Sequence, residues 1–315
     1  MPRLPESVRG RATAVVFPGQ GCQYVGMGRT LVDASPACAA VFRRADETLG
    51  FGISRLCFEG PPESLDDTLN AQPAILTVEV AGFMLLTELL GRVPPICVAG
   101  HSLGQFAAVV AAGGMMFEDA LLAVRKRARL MRDAVTGGGG MLAVVGLGRS
   151  EIARLAERAS SVGTISLANV NTPRQVVLAG EERALDAAAE LARAAGAEKV
   201  ARLPIGVASH SPLMAEAAAG LADALARVDL RDVRVPVIGG SDGRRLTGAD
   251  EIRVELGRQL VEPVDWVRAL EAMAELGASL FFEAGPTRVL SRLITSVMPE
   301  ATVLSITDVL STREG

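Results

Sequence analysis

Histidine, tryptophan and tyrosine are almost missing from this sequence of 315 residues, which holds two, one and one of them. So few indole and phenol rings leave little to stack against sugars or nucleobases. The 32 basic and 36 acidic side chains give a net charge of -4, without the basic excess of a nucleic-acid binder. Cys22, Cys38, Cys57 and Cys97 show no CxxC spacing and lie in or beside apolar runs. That argues against a metal knuckle or a disulfide framework and reads as reduced core thiols. Residues 1–12 are polar and lack the apolar stretch of a signal peptide, so they read as a short tail. The most apolar run, residues 74–90, carries Glu79 and Glu88 and makes a poor membrane span. A cytoplasmic protein is expected, with no metal and neither a membrane nor a nucleic-acid partner. If its chemistry needs a base at neutral pH, only His101 and His210 are available.

What is present is globular, 49% hydrophobic against 22% charged. TAVVF, residues 13–17, reads as a buried strand running into Pro18-Gly19-Gln20-Gly21. Pro73 is expected to open a long apolar helix over residues 74–90. A second buried strand, residues 96–99, turns at residues 100–104 directly into a helix over 105–112. A further helix, residues 118–135, is broken by the glycines at 137–140. Beyond them MLAVVGL, VVLAG and EKVARLPI read as strands, and SEIARLAERA and EERALDAAAELARAAG as amphipathic helices, giving the order β-α-β-α-β. The chain then supplies a strand at VPVIGG, a helix over residues 266–276, the strand SLFFEAG and a final helix from Pro286. The expected fold is α/β, with a parallel-sheet core from residues 1–137 and 207–315 and a small αβ unit, residues 138–206, inserted into it.

Gly100-His101-Ser102-Leu103-Gly104 fits the GxSxG nucleophile elbow and has the strand before it and helix after it that the motif requires. Glycines permit the tight turn that lifts the serine oxygen clear of the backbone, and the helix dipole favours negative charge developing there. Read blandly, Ser102 is only a helix cap. A nucleophilic serine needs a base. His101 is its chain neighbour, and adjacent side chains on a tight turn diverge, so His101 reads as a packed or hydrogen-bonded residue. His210, among small residues in Gly206-Val207-Ala208-Ser209-His210-Ser211-Pro212, is free to point into a cleft. Asp119, Asp133 and Asp186 lie between Ser102 and His210 but sit on expected helices, so a backbone carbonyl could orient the imidazole instead.

Together with Phe17-Pro18-Gly19-Gln20-Gly21-Cys22-Gln23, Arg127 in RARLM, Ala168-Asn169-Val170-Asn171, Ser209-His210 and Glu283-Ala284-Gly285-Pro286, the elbow resembles the malonyl-CoA:acyl-carrier-protein transacylase family, which includes polyketide synthase acyltransferases. The resemblance implies an α/β-hydrolase-like core with an inserted ferredoxin-like subdomain. It implies a ping-pong transfer through an acyl-serine at Ser102, with His210 as base. Backbone N–H groups of Gln20 and Leu103 would hold the oxyanion, and the main-chain carbonyl of Gln259 would orient His210. Arg127 matches the arginine that grips the free malonyl carboxylate. From the residues alone it belongs to a solvated face with Arg125, Lys126, Arg129 and Arg132. Gln72 and Asn171 match positions close to the site.

The implied substrates are acyl-CoA and the phosphopantetheine arm of an acyl-carrier protein, with no cofactor of the enzyme's own. Carrier proteins are acidic, and Arg125, Lys126, Arg129, Arg202 and Arg288 are candidates for a basic docking patch. Gln105, Cys22 and Gly239-Gly240 depart from the family pattern. Ser209 is smaller than the phenylalanine of many malonyl-specific polyketide domains, which leaves open a discrete polyketide-pathway acyltransferase that uses methylmalonyl or a larger acyl group, from CoA or from another carrier protein. A serine hydrolase releasing acyl groups to water uses the same nucleophile and base. A non-enzymatic scaffold is the third alternative.

Overall fold

The computed structural model describes residues 10–91, 93–134 and 138–311. Residues 1–9 of the expected polar tail, and the expected helix break at Gly137, lie outside them.

Two sheets organise the chain. The first contains β1 (Thr13–Phe17), β2 (Cys97–Gly100), β7 (Val237–Ile238), β8 (Arg245–Leu246), β10 (Leu280–Glu283) and β11 (Thr302–Ser305), in the order β11-β10-β1-β2-β7-β8. Its pairings are parallel except for the β7–β8 hairpin. β1 shows why TAVVF has no polar alternation. Val15 and Phe17 face a core shared with the long helices, while Ala14 and Val16 face a second cluster built around Trp266 and Phe281. A strand covered on both faces must be apolar at every position, and each large side chain so buried contributes roughly 1.5–3 kcal/mol.

The helix expected to start after Pro73 spans Thr68–Leu89. The Asp67 side chain caps its start by accepting from Leu69 N at 2.9 Å. Pro73 is carried inside, close enough to the N-terminus that the bond it forfeits falls near the open end. This helix is long and apolar enough to cross a membrane by length and composition. It instead packs among helices Pro36–Leu49, Gly104–Ala111 and Phe117–Asp133 as the central helix of the larger core.

The second sheet contains β3 (Gly140–Val145), β4 (Ile165–Thr172), β5 (Gln175–Gly180), β6 (Lys199–Arg202) and β9 (Val264–Asp265), in the order β6-β3-β5-β4-β9. With helices Arg149–Ala159 and Glu182–Ala194, residues 140–202 run β-α-β-β-α-β, one strand more than the expected β-α-β-α-β. The missed strand is β4, whose Asn169 and Asn171 depress its strand propensity. Antiparallel pairing with β5 secures it, through two register irregularities. On its other edge β4 pairs in parallel with β9, so a segment from late in the chain continues this sheet. The C-terminal region holds more elements than expected. The helix expected from Pro286 is Val289–Val297, and it is followed by β11 and helix Ile306–Ser311.

Candidate active site

β1, β2 and β10 end together, and the loops that leave their carboxyl ends press on one another. A Cβ at Gly104 would come within 2.2 Å of the Phe17 carbonyl oxygen, and one at Gly100 within 2.0 Å of the Gly104 carbonyl carbon. The turn between them leaves Ser102 at φ 53°. His210 lies in the loop after β6 at φ 61°, and these two are the only non-glycine residues of positive φ among the described residues. Such backbone costs roughly 1–3 kcal/mol per residue and persists where the surroundings impose it.

Ser102 Oγ lies 2.8 Å from His210 Nε2. His210 Nδ1 lies 2.7 Å from the Gln259 carbonyl and 3.1 Å from that of Glu262. A carbonyl can only accept, so Nδ1 carries the proton and Nε2 is free to accept from the serine. Burial drives the His210 pKa from 6.5 down to about 3, with Arg127 and His101 pushing the same way and the two carbonyls opposing them. At neutral pH the ring is an uncharged base.

Arg127 projects from helix Phe117–Asp133 and is only 1% exposed, so it does not share the solvated face of its neighbours. Its Nη1 donates to Gln72 Oε1 at 2.7 Å and its Nη2 to Ser102 Oγ at 3.1 Å. No carboxylate among the described residues pairs with it, and its Nε is buried without a partner. Burial lowers its pKa to about 9, which still leaves it cationic at pH 7. A buried cation with no anion in the protein is costly, and a carboxylate-bearing ligand would offset that cost.

Gln72 Nε2 donates to Thr68 Oγ1 at 2.9 Å, and Thr68 Oγ1 to Gln20 Oε1 at 3.3 Å, tying the long helix to the loop after β1. The backbone N–H groups of Gln20 and Leu103 donate to no group among the described residues. Asn171 is in the cavity wall but bonds His101, whose Nε2 donates to its Oδ1 at 3.0 Å. Ser209 lines the same cavity. That cavity, 560 Å³, opens between the two sheets and takes in Gln20, Ser102, Arg127, Asn169 and His210, with Met141, Leu203, Ile205 and Leu293 supplying apolar wall. Its place outside the carboxyl ends of parallel strands is where α/β sheets hold ligands. No group of three or more His, Cys, Asp or Glu side chains among the described residues is placed to hold a metal.

Residues 14–310 match the family described as the acyl transferase domain. The chain is 37% identical over 297 residues to the malonyl CoA-acyl carrier protein transacylase of Bacillus subtilis (strain 168), covering 94% of this chain and 93% of that one. It is 38% identical over 296 residues to the enzyme of the same name from Escherichia coli (strain K12), covering 94% and 96%. The solved transacylase of Coxiella burnetii superposes with a TM-score of 0.92 at 38% identity, over 96% of each chain. The chain belongs to the malonyl-CoA:acyl-carrier-protein transacylase family. A malonyl-transacylase in complex with its type II polyketide synthase acyl-carrier protein also superposes with a TM-score of 0.92, at 36% identity over 95% of this chain and 98% of that one.

Some residues of this transacylase site escaped sequence reasoning. Thr68 and Met131 both bond Gln72, Met131 through its sulfur at 3.5 Å. Thr68 is one helical turn from Gln72, and Met131 one turn from Arg127, so the i, i+4 spacing was the available signal. Asn169 also lines the cavity; it is two residues from the expected Asn171 on β4, so the strand period was its signal. Trp266, whose ring centroid is 5.7 Å from that of His101, had no signal in the sequence. In the expected basic patch, Arg202 is paired with Glu182 and Asp186, Arg288 is paired with Asp308, and Arg125 lies over the Phe51 ring. Lys126 and Arg129 are exposed.

Proposed function

We propose that the protein transfers a malonyl group from coenzyme A to the phosphopantetheine thiol of an acyl-carrier protein through an acyl-serine on Ser102. The observation that carries this reading is the buried Arg127 guanidinium, 3.1 Å from Ser102 Oγ and without a protein carboxylate. Ser102 Oγ attacks the thioester carbonyl while its proton passes to His210 Nε2, and the Gln259 carbonyl holds the ring in the competent tautomer. Developing oxyanion charge falls to the free N–H groups of Gln20 and Leu103. The carbon–sulfur bond breaks and CoA leaves as the thiol with the proton from His210. In the second half the pantetheine thiol gives its proton to His210 and attacks the ester, and Ser102 leaves and recovers the proton. Arg127, steadied by Gln72, exchanges Ser102 for the malonyl carboxylate, which it can grip through two parallel bonds. Asn171 acts at a remove, through His101, and Ser209 borders the acyl end of the cavity. CoA thioester and pantetheine are substrates, and no bound cofactor takes part. The β6-β3-β5-β4 order supports reading residues 138–206 as a ferredoxin-like subdomain inserted into an α/β-hydrolase-like core of residues 1–137 and 207–315.

The decisive experiment is intact-mass analysis after malonyl-CoA, then after addition of holo acyl-carrier protein. A malonyl adduct on Ser102 that moves to the carrier is expected. Free malonate with an unmodified carrier means a hydrolase. Arg127→Ala is expected to lose about a hundredfold of the preference for malonyl over acetyl donors, and unchanged discrimination would remove Arg127 from recognition.

A further inference from the structure

Beneath His210 lies a buried polar cluster that no step of the transfer touches. Glu255, 3% exposed, is on helix Ala249–Arg258. Its Oε1 accepts from Gly240 N at 2.8 Å and from Gln105 Nε2 at 3.1 Å. Its Oε2 accepts from Arg258 Nη2 at 2.7 Å and from Arg258 Nε at 3.1 Å. Gln105, 2% exposed, sits on the first turn of helix Gly104–Ala111, directly after the elbow. Its Oε1 accepts from Gln259 Nε2 at 3.3 Å. Gln259 Oε1 is buried without a partner, so all the side-chain hydrogen bonding of Gln259 runs through Gln105. The backbone carbonyl of the same Gln259 is the one 2.7 Å from His210 Nδ1.

We infer that Gln105 is a positioning residue for the histidine base, anchoring Gln259 against the buried Glu255 carboxylate so that the Gln259 carbonyl stays under His210. The inference rests on the acyl-serine reading above. Position 105 must donate to a carboxylate on one side and accept from an amide on the other, and a side-chain amide does both. A carboxylate there keeps the second bond but sets two like charges in contact at a buried site. Gly240 belongs to the same device, since a Cβ on it would lie 2.7 Å from Gln105 Nε2. Three of the positions where the sequence leaves the family pattern, Gln105, Gly239 and Gly240, thus meet around one carboxylate. A second acceptor gives the anchor its consequence. His210 Nδ1 also lies 3.1 Å from the Glu262 carbonyl, and freeing Gln259 lets the ring turn toward Glu262 and carries Nε2 off Ser102.

The test compares Gln105→Glu with the swapped pair Gln105→Glu/Glu255→Gln. Two rates are measured: acylation of Ser102 by malonyl-CoA, and phosphonylation of Ser102 by a fluorophosphonate, which reads the activated serine whatever the natural donor. The single variant is expected to lose about ten- to a hundredfold in kcat, the cost of a sub-ångström misplacement, with KM within about twofold of wild type. Phosphonylation should fall in parallel. In the swap the position-255 amide donates to the position-105 carboxylate, but the Gly240 N–H then faces that amide nitrogen in place of Glu255 Oε1, so both rates should rise at least about fivefold over the single variant and stop short of wild type. Wild-type rates in Gln105→Glu overturn the inference. So does a swap no faster than the single variant while both melt within about 3 °C of wild type. If Gln105→Glu does not fold, Gln105→Met replaces it, and wild-type rates there overturn the inference equally. If malonyl-CoA leaves the wild type unmodified while the phosphonylation pattern holds, the functional reading fails and the role of Gln105 stands.

Discussion

Ser102 and His210 meet at 2.8 Å, yet the regions that deliver them are built on different principles. The serine side is short-range and steric: strand β2, one turn, one helix, with Gly104 wedged against Phe17 and Pro18 at the end of β1 and Gly100 against Gly104. The histidine side is long-range and polar. Its loop enters from the end of the second sheet, and the ring is oriented by a carbonyl 49 residues along the chain. Steric closure tolerates no added atom, whereas polar closure tolerates bulk but not a lost or reversed hydrogen bond.

Removing the imidazole tests the polar side at its strongest point. His210→Ala is expected to slow acylation of Ser102 by roughly ten-thousandfold, measured by quenched-flow mass analysis. A loss below tenfold would mean that another group takes the serine proton. The steric side gives way to a single methyl. Gly104→Ala should cost about 3 kcal/mol or more in urea unfolding, because the new Cβ meets backbone. Gly206→Ala, in the His210 loop with nothing within 4 Å, should stay within about 0.5 kcal/mol of wild type. Equal costs would erase the contrast between the regions.

Acid separates them next. The unfolded chain takes up the His210 proton below about pH 6.5, whereas the folded protein resists it until about pH 3. Folded stability is therefore complete above the first value and is lost progressively as pH falls toward the second. For the same reason, acylation should show no protonation limb near 6.5 and stay level between about pH 8 and pH 5. Arg127 is the second cause of the depression after burial, so in Arg127→Gln the limb should move upward. A limb at 6.5 in the wild type would mean that the ring is solvated in the working enzyme.

The serine side was legible in the sequence because it is local. GHSLG, the strand before it and the helix after it are contiguous, and the glycines carry their own geometric reason. His210 was reached by scarcity, since there were only two candidates. Arg127 could not be told from Arg125 or Arg129 by pattern, because the inward turn of one basic residue on a charged helix is decided by Gln72, 55 positions earlier. β4 was hidden by its asparagines, which serve the cavity at the expense of strand propensity. The cluster of Gln105, Glu255 and Gln259 spans about 150 residues of chain, and contacts at that separation leave no periodicity to read.

The smallest effect isolates what the two regions share, the left-handed backbone at each reacting residue. Ser102→Ala and Ser102→Gly both remove Oγ, and with it the bonds to His210 and Arg127, so both should be inactive to the same degree. They differ in the Cβ. At φ 53° an L side chain is strained and glycine is not. Relief of about 1–2 kcal/mol of strain should therefore favour Ser102→Gly, read as the difference between two urea midpoints at a common slope. The looser unfolded chain of the glycine variant works against this by up to about 1 kcal/mol, so equality of the two would already place the strain near that size. A glycine variant clearly less stable than the alanine variant would mean that the elbow relaxes once Oγ is gone, and that the strain is imposed by the hydrogen bonds to His210 and Arg127 instead of by the packing of Gly100 and Gly104.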